Sequence, residues 1–317
     1  MKSEVYSQST CLMNEVVYRY YVKRETLIVI SSHLQISQST VSRLLKRAES
    51  EKIVTFNIHP RYMACIEREE GLKKEYGLRD VQILPILEAD VDSSSLKKRV
   101  ALEGARYLQR IITDNDIIGL TWGETMYHLI QYLNPCRRKG AKIVTLHGSI
   151  VNSSDMLDVD TLVKRAAMAF GGKKVSLCRK GLLTQEEMAH LRQSQHFQNI
   201  QKIYGQIDIA VTSVGAIWPK TTSLLGTLKH LSPGELQELT QNRAVCDIVM
   251  RYIDGEGREC DTSMRERTYS IGLSDYRRIP TKILVASGTE KAEAVRALSK
   301  GQLFDVLITD ELLASAL

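Results

Sequence analysis

ISQSTVSRLLKRAESEKIV, residues 36–54 of a 317-residue chain, decides how the N-terminal part folds. Val41, Leu44, Leu45 and Ala48 recur at i, i+3, i+4 and i+7, the spacing that puts side chains on one face of a helix. Ser37 stands where its hydroxyl can accept an N–H of the first turn and cap that helix. Gln38, Ser39, Thr40, Ser42, Arg43, Lys46 and Arg47 are left facing outward. Small hydroxyls and an amide followed by three cations suit a DNA major groove, with base edges or phosphates for the former and phosphates for the latter. An ordinary solvated helix face is the alternative.

The neighbouring segments favour the DNA reading. Thr26–His33 (TLIVISSH) reads as the shorter first helix of a helix-turn-helix, with Leu34–Ser37 as its turn. Ile53–Ile58 (IVTFNI) alternates in β fashion and is expected to form the wing of a winged helix. Glu15–Arg24 (EVVYRYYVKR) is expected to be a helix packing Val16, Tyr20 and Tyr21 behind this pair, after a loose polar start over residues 1–13. Over residues 1–60, eight Lys or Arg face five acids, a net of +3. That is modest for a DNA-binding unit, so affinity is expected to depend on pairing two or more copies.

Across the whole chain, 43% hydrophobic and 25% charged residues fit a globular protein of about two domains. The six cysteines, Cys11, Cys65, Cys136, Cys178, Cys246 and Cys260, form no CxxC pair and no metal-ligand spacing. They fit a reducing cytoplasm better than a disulfide framework, and neither a metal nor a cofactor is expected. No signal peptide is recognisable and no apolar run nears the roughly 18 residues that span a bilayer, so no membrane partner is expected and the location is read as cytoplasmic.

Pro60–Tyr76 reads as a linking helix with Met63, Ile66 and Leu72 as its apolar side. Gly71 costs about 1 kcal/mol there relative to Ala and predicts a weak point. The boundaries that follow are 1–59 for the DNA-binding domain, 60–78 for a linker and dimerisation helix, and 79–317 for a larger domain. From Asp80 onward short apolar strands alternate with helices. Strands are expected at Val81–Ile86, Asp116–Trp122, Lys142–His147, Val175–Cys178, Asp208–Val214, Ala244–Met250, Lys282–Ala286 and Asp305–Thr309. Helices are expected from Ser93 through Arg110, from Gly123 through Tyr132, over 155–170, within Gln185–Tyr204 and over Glu290–Lys300. The fold class is therefore α/β, a winged helix-turn-helix followed by a doubly wound parallel sheet.

Ligands of open parallel sheets bind beyond the carboxyl ends of the strands. TWGET, Thr121–Thr125, ends a strand, passes Gly123 and starts a helix whose free N–H groups and dipole suit a phosphate. HGSIVN, His147–Asn152, is a second glycine turn with polar side chains for sugar hydroxyls, or a plain turn. Asp247 sits within an apolar run and needs a partner if buried. Asp254 in DGEG reads as a turn former, with a ligand contact as the alternative. In SGTEKAEAV, Ser287–Val295, Lys291 opposes the dipole at a helix start and calls for a countercharge. A phosphorylated ligand would supply it, and Glu290 could accept from hydroxyls. Asp310 in ITDE caps the last helix or touches ligand.

VSRLLKRA, TWGET, HGSI, DGEG, VASGTEKAEAV and LITDE, in this order, resemble the sorbose-operon regulator (SorC) family of bacterial transcription factors, from about Glu15 to Leu317. The resemblance implies an N-terminal winged helix-turn-helix joined to an effector domain similar to sugar-phosphate isomerases. It also implies a homodimer or homotetramer that binds double-stranded operator DNA and answers to a phosphorylated sugar or polyol. Gly123, Glu124 and Thr125 would hold the phosphate and Lys291 would neutralise it. Asp247 and Asp310 would line the rest of the pocket, with Gly148 and Glu290 beside it. The chain departs from the family pattern at Leu27, where an amide is usual, and at Gln35, where glycine is frequent. It departs again at Ala244 and Cys246, and at Ser287. The competing reading is a sugar-phosphate isomerase or deaminase with a fused DNA-binding domain, for which Asp247, Glu290, His147 and Lys291 supply the residue types without a compact acid-base motif.

Overall fold

The computed structural model describes residues 6, 8–87, 92–138, 140–150, 157–177, 180–226 and 230–317. It divides into two compact units, residues 1–59 and 60–317. In the first, α1 (Thr10–Val17) is capped by Ser9 and runs on as a π-helical turn, Tyr18–Val22. The chain start is thus helical earlier than expected, because Met13 is fully buried and anchors it. Val16 is buried as expected, while Tyr20 stays exposed. α2 (Leu27–Leu34) is capped by Thr26, and α3 (Gln38–Ser50) by Ser37, whose Oγ accepts the Thr40 N–H at 3.1 Å. Between them Gln35 takes the left-handed conformation, φ 54°, that glycine would reach with less strain. Val41, Leu44, Leu45 and Ala48 of α3 close on Met13, Val16 and Ile30.

The expected wing is absent: residues 53–59 form no strand. Their β-type alternation has no second strand to pair with, and Ile53, Phe56 and Ile58 stay exposed.

In the second unit α4 (Pro60–Tyr76) is continuous through Gly71. It buries Cys65 and Leu72, whereas Met63 and Ile66, expected inside, are exposed. Then follow β1 (Asp80–Leu84), α5 (Ser93–Ile111), β2 (Ile117–Leu120), α6 (Glu124–Gln131) and β3 (Lys142–Thr145). After these come α7 (Val159–Phe170), β4 (Lys173–Val175), α8 (Gln185–Arg192), α9 (Gln195–Tyr204) and β5 (Ile209–Thr212). The last part holds β6 (Gly215–Ala216), α10 (Pro233–Gln241), β7 (Ala244–Ile248), β8 (Arg251–Asp254), α11 (Leu273–Arg278), β9 (Thr281–Val285), α12 (Ala292–Lys300), β10 (Val306–Asp310) and α13 (Glu311–Ala316). Residues 155–156 of the expected 155–170 helix, and Cys178 of the expected fourth strand, lie outside the described residues.

Seven strands form one parallel sheet in the order β1-β10-β9-β5-β2-β3-β4. Alternate residues face opposite ways. Ile283, Val285, Val306 and Ile308 join the core under α5, α6 and α7, while Leu284 and Leu307 join the one containing Leu72, Val295 and Leu313. Helices therefore cover both faces, as the nearly unbroken apolar strands require. Ala244–Met250 departs from expectation. β7 lies outside the main sheet and pairs antiparallel with β6 and β8 in a separate three-stranded sheet, because the chain reverses at Val249–Met250.

Candidate functional site

Beyond the carboxyl ends of β2, β3, β5 and β9 the second unit holds a cavity of about 230 Å³. Its walls include Thr121–Thr125, His147, Ser213–Gly215, Thr222–Leu225, Asp247, Ser287, Gly288, Glu290 and Lys291. Six of the eight expected effector residues thus come together: Gly123, Glu124, Thr125, Asp247, Glu290 and Lys291.

Gly123 sits at φ 109°, ψ 169°, a conformation open to glycine, and no side chain caps α6. The first-turn N–H groups of α6 are therefore left for a ligand or water. Just before it, the Thr121 hydroxyl is buried without a hydrogen-bond partner. Thr125 is buried and Glu124 is exposed. Glu124 pairs with Lys97 of α5, and that contact holds its carboxyl below the ordinary range.

Lys291 enters from the 3-10 turn Thr289–Lys291 that follows β9 and is only 7% exposed. Burial, reinforced by Lys97, pushes its pKa down to about 8, against the pull of Glu290, Asp247 and Asp310. Its ammonium makes no hydrogen bond or ion pair among the described residues. A buried cation without a partner is costly, and an anion in the cavity would supply one. Gly288, φ 93°, shapes this turn, and the Glu290 carboxylate folds back over the space its Cβ would take.

Asp247, on β7, is 7% exposed and accepts the Ser223 hydroxyl. Burial pushes its pKa up to about 6, opposed by Ser223 and Lys291. Gly215 makes that approach possible, since a Cβ there would lie 2.4 Å from Asp247 Oδ1.

The other two expected residues stand outside the cavity walls. Asp310 does not line the cavity and is fully buried. Its Oδ1 accepts the N–H groups of Leu312 and Leu313, both at 3.0 Å, and its Oδ2 that of Gly288 at 2.9 Å. It caps α13 and fixes the loop that carries Lys291. Gly148 also stands outside the walls and donates its N–H to Tyr269 O at 2.9 Å. Its neighbour His147 is the wall residue. The ring accepts the Trp122 N–H through Nε2 at 3.2 Å and donates through Nδ1 to Gly148 O at 2.8 Å. Burial pushes His147 down to about 4, so it is neutral and locked, a brace for the loop before Gly123. Val151 and Asn152 of the HGSIVN turn lie outside the described residues. Asp254 accepts the Glu256 and Arg258 N–H groups, each at 2.9 Å, and forms a turn as expected.

Lys97, Ser213 and Ser223 line the cavity and were not legible as site residues. Lys97 stands 27 positions before Glu124 and Ser223 stands 24 before Asp247, so only the fold joins them. Thr121 carried a signal, as the first residue of TWGET.

In the first unit Gln38, Ser39, Arg43 and Lys46 of α3 are exposed, and Ser42 is half-buried. Two expected contacts are drawn inward. Thr40 is 2% exposed and its hydroxyl lies 2.9 Å from Ser37 Oγ, so it belongs to the packing and cap of α3. Arg47 pairs with Glu51 at 2.6 Å and donates to Thr10 Oγ1 at 3.4 Å. No group of His, Cys, Asp or Glu among the described residues could hold a metal ion, and no helix there is long and apolar enough to cross a membrane.

The chain is 28% identical over 304 residues to the deoxyribonucleoside regulator of Bacillus subtilis, covering 96% of each chain. The structure matches that of the full-length sorbitol operon regulator SorC from Klebsiella pneumoniae with a TM-score of 0.73 at 25% identity, covering 96% of this chain and 97% of that one. A transcriptional regulator from Streptococcus pneumoniae matches with a TM-score of 0.75 at 25% identity, over 80% of this chain and 97% of that one. Residues 60–317 match the Sugar-bind model of sugar-binding domains. The chain therefore belongs to the Sugar-bind family, among transcriptional regulators of the SorC type.

Proposed function

We propose that this chain is a bacterial DNA-binding regulator of a carbohydrate-catabolism operon, controlled by a phosphorylated sugar or polyol in the cavity of the second unit. The observation that carries the effector half is Lys291, largely buried and without an ion pair among the described residues, in a cavity that also meets the uncapped start of α6 and the unpaired Thr121 hydroxyl. These are three complements to a phosphate. Asp247 and Glu290 would accept from sugar hydroxyls. The DNA half rests on the exposed Gln38, Ser39, Arg43 and Lys46 at the front of α3, which suit a major groove. Residues 1–59 would bind operator DNA, 60–78 link and dimerise, and 79–317 bind the effector. With +3 over the first 60 residues, one copy neutralises few phosphates, so a dimer or tetramer in the cytoplasm is the working form.

The full-length protein should bind a duplex from the promoter beside its own gene more tightly than a scrambled duplex. One sugar phosphate from a panel should both raise its melting temperature and shift that affinity. Equal affinity for the two duplexes would remove the first half of the reading; a panel with no stabiliser would remove the second.

An isomerase-like activity is the second reading, favoured by Asp247 at about 6 beside Lys291 at about 8, values suited to proton transfer. The locked, neutral His147 weakens it, since that imidazole, the one among the described wall residues, is not available as a base. Product formation from the stabilising sugar phosphate would decide for it.

A further inference from the structure

We propose that the effector carries an apolar, aryl-sized group at the end remote from its phosphate, and that this group lodges in a second cavity gated by Met250. The inference rests on the anion site proposed above and extends it. The second cavity measures about 250 Å³ and lies among Ile150, Leu182, Leu231, Tyr252 and Met264. Leu225 and Met250 line it and also line the anion cavity, so the two spaces share a wall. Each alone falls short of the roughly 300 Å³ at which small-molecule sites begin, and the two joined exceed it.

The wall between them is built in an unusual way. β7 and β8 are joined by Val249 and Met250, with φ of 48° and 64°. Two successive positive φ values are the mark of a tight hairpin turn that normally takes Asn-Gly. A β-branched residue in this conformation is strained, and such strain collects where side chains serve a site. Here the turn directs Val249 and Met250 into the anion cavity, and Met250 into the second one too. Asn-Gly would relieve the backbone and remove the wall. Gly181 completes the arrangement: a Cβ there would fall 2.4 Å from Met250 Sδ, so only glycine leaves the thioether its place. An unbranched methionine can change rotamer and open the passage without moving the backbone.

The chemistry of the second cavity selects its occupant. The Tyr252 hydroxyl already donates to Leu225 O at 3.4 Å and the Thr268 hydroxyl to Met264 O at 2.8 Å. Ser149 and His230 add two polar groups at the wall, and the rest is aliphatic side chains, two thioethers and a tyrosine ring, where sulfur beside a ring favours an aromatic guest. In a β-glucopyranoside 6-phosphate the anomeric substituent and the phosphate-bearing carbon stand on the two carbons that flank the ring oxygen, both equatorial and pointing apart. An aryl glycoside 6-phosphate therefore spans both cavities.

The test titrates the full-length protein with inorganic phosphate, glucose 6-phosphate, methyl β-glucoside 6-phosphate and phenyl β-glucoside 6-phosphate. The phenyl glycoside is expected to bind at least about tenfold more tightly than the methyl glycoside, from burial of one ring. Leu182→Trp, which fills the second cavity, is expected to abolish that advantage and leave methyl-glycoside affinity unchanged. Equal affinity of the two glycosides in the unmodified protein overturns the inference while leaving the anion site standing. So does an advantage that survives Leu182→Trp. Failure of all four probes overturns the anion site and the inference together.

Discussion

Lys291 and Asp247 are each 7% exposed and meet at one cavity, Lys291 from the turn after β9 and Asp247 from β7 in the other sheet, yet no ion pair joins them. Each feels the other's charge: Asp247 holds the Lys291 pKa up and Lys291 holds the Asp247 pKa down, both against burial. Two oppositely charged groups thus face one cavity without pairing, the arrangement that the proposed effector would satisfy.

The first prediction is a trade of stability against response. The folded Lys291 pKa of about 8 lies below its ordinary 10.5, so the buried charge destabilises the fold fully below pH 8, and the penalty fades as pH rises toward 10.5. Lys291→Met should raise stability at pH 7 by about 1–3 kcal/mol and lose that gain by about pH 10.5. The same variant should lose its melting-temperature response to sugar phosphate. Thermal unfolding with and without ligand at several pH values checks both, and a destabilised variant would contradict the account of Lys291.

Effector affinity should depend on pH with a definite sign. A bound phosphate raises the Lys291 pKa above its free value of about 8. Affinity is then flat between about pH 7 and 8 and falls by up to about tenfold per pH unit above that. Calorimetric titration between pH 7 and 10 measures this. A flat profile would place the phosphate away from Lys291.

Two neighbouring residues of α3 should separate DNA contact from folding. Arg43→Ala should weaken operator binding by roughly 10- to 100-fold and lower the salt slope by about one, with the melting temperature unchanged. Thr40→Ala should instead cost about 1 kcal/mol of stability in the first unit, since it empties a packed site and removes one of the hydrogen bonds of Ser37. Fluorescence anisotropy at several salt concentrations, with thermal unfolding alongside, distinguishes the two.

Asp310→Ala is expected to destabilise by about 2–4 kcal/mol, because three backbone N–H groups lose their acceptor. It should also weaken sugar phosphate severalfold although Asp310 touches no part of the cavity. Unchanged affinity in a folded variant would show that the Gly288 loop holds its shape unaided.

How much of this was legible depends on what the sequence pattern can encode. Strand–helix alternation from Asp80 onward predicts a parallel sheet because its strands are buried on both faces, and Ile283 to Val285 shows that. The same apolar texture in Ala244–Ile248 gives no strand direction, and Val249–Met250 lacks the Asn-Gly sign of a hairpin, so the small sheet went unseen. Thr40 was placed outward by its polarity, although it stands four residues before Leu44 and eight before Ala48, in phase with the buried face. Residues 53–58 show the reverse error, a β pattern with nothing to pair against. Gly123, Thr125 and Lys291 were readable from local chemistry at strand ends. Lys97 and Ser223 were not, since they reach the cavity only through tertiary packing.

The short helix that Asp310 caps has a second set of ties. Arg68 of α4 donates to Ala314 O at 3.0 Å, Tyr76 to Leu317 O at 3.2 Å, and Glu311 accepts the Ile86 N–H at 2.9 Å. The C-terminal segment therefore works as a tie-bar, with one end pinned to the loop behind Lys291 and the other to the helix that begins where the first unit stops. Arg68 and Tyr76 hold its far end to α4. Losing the first of these bonds in Arg68→Ala therefore loosens the C-terminal end of the segment while the Asp310 end stays tied to Gly288.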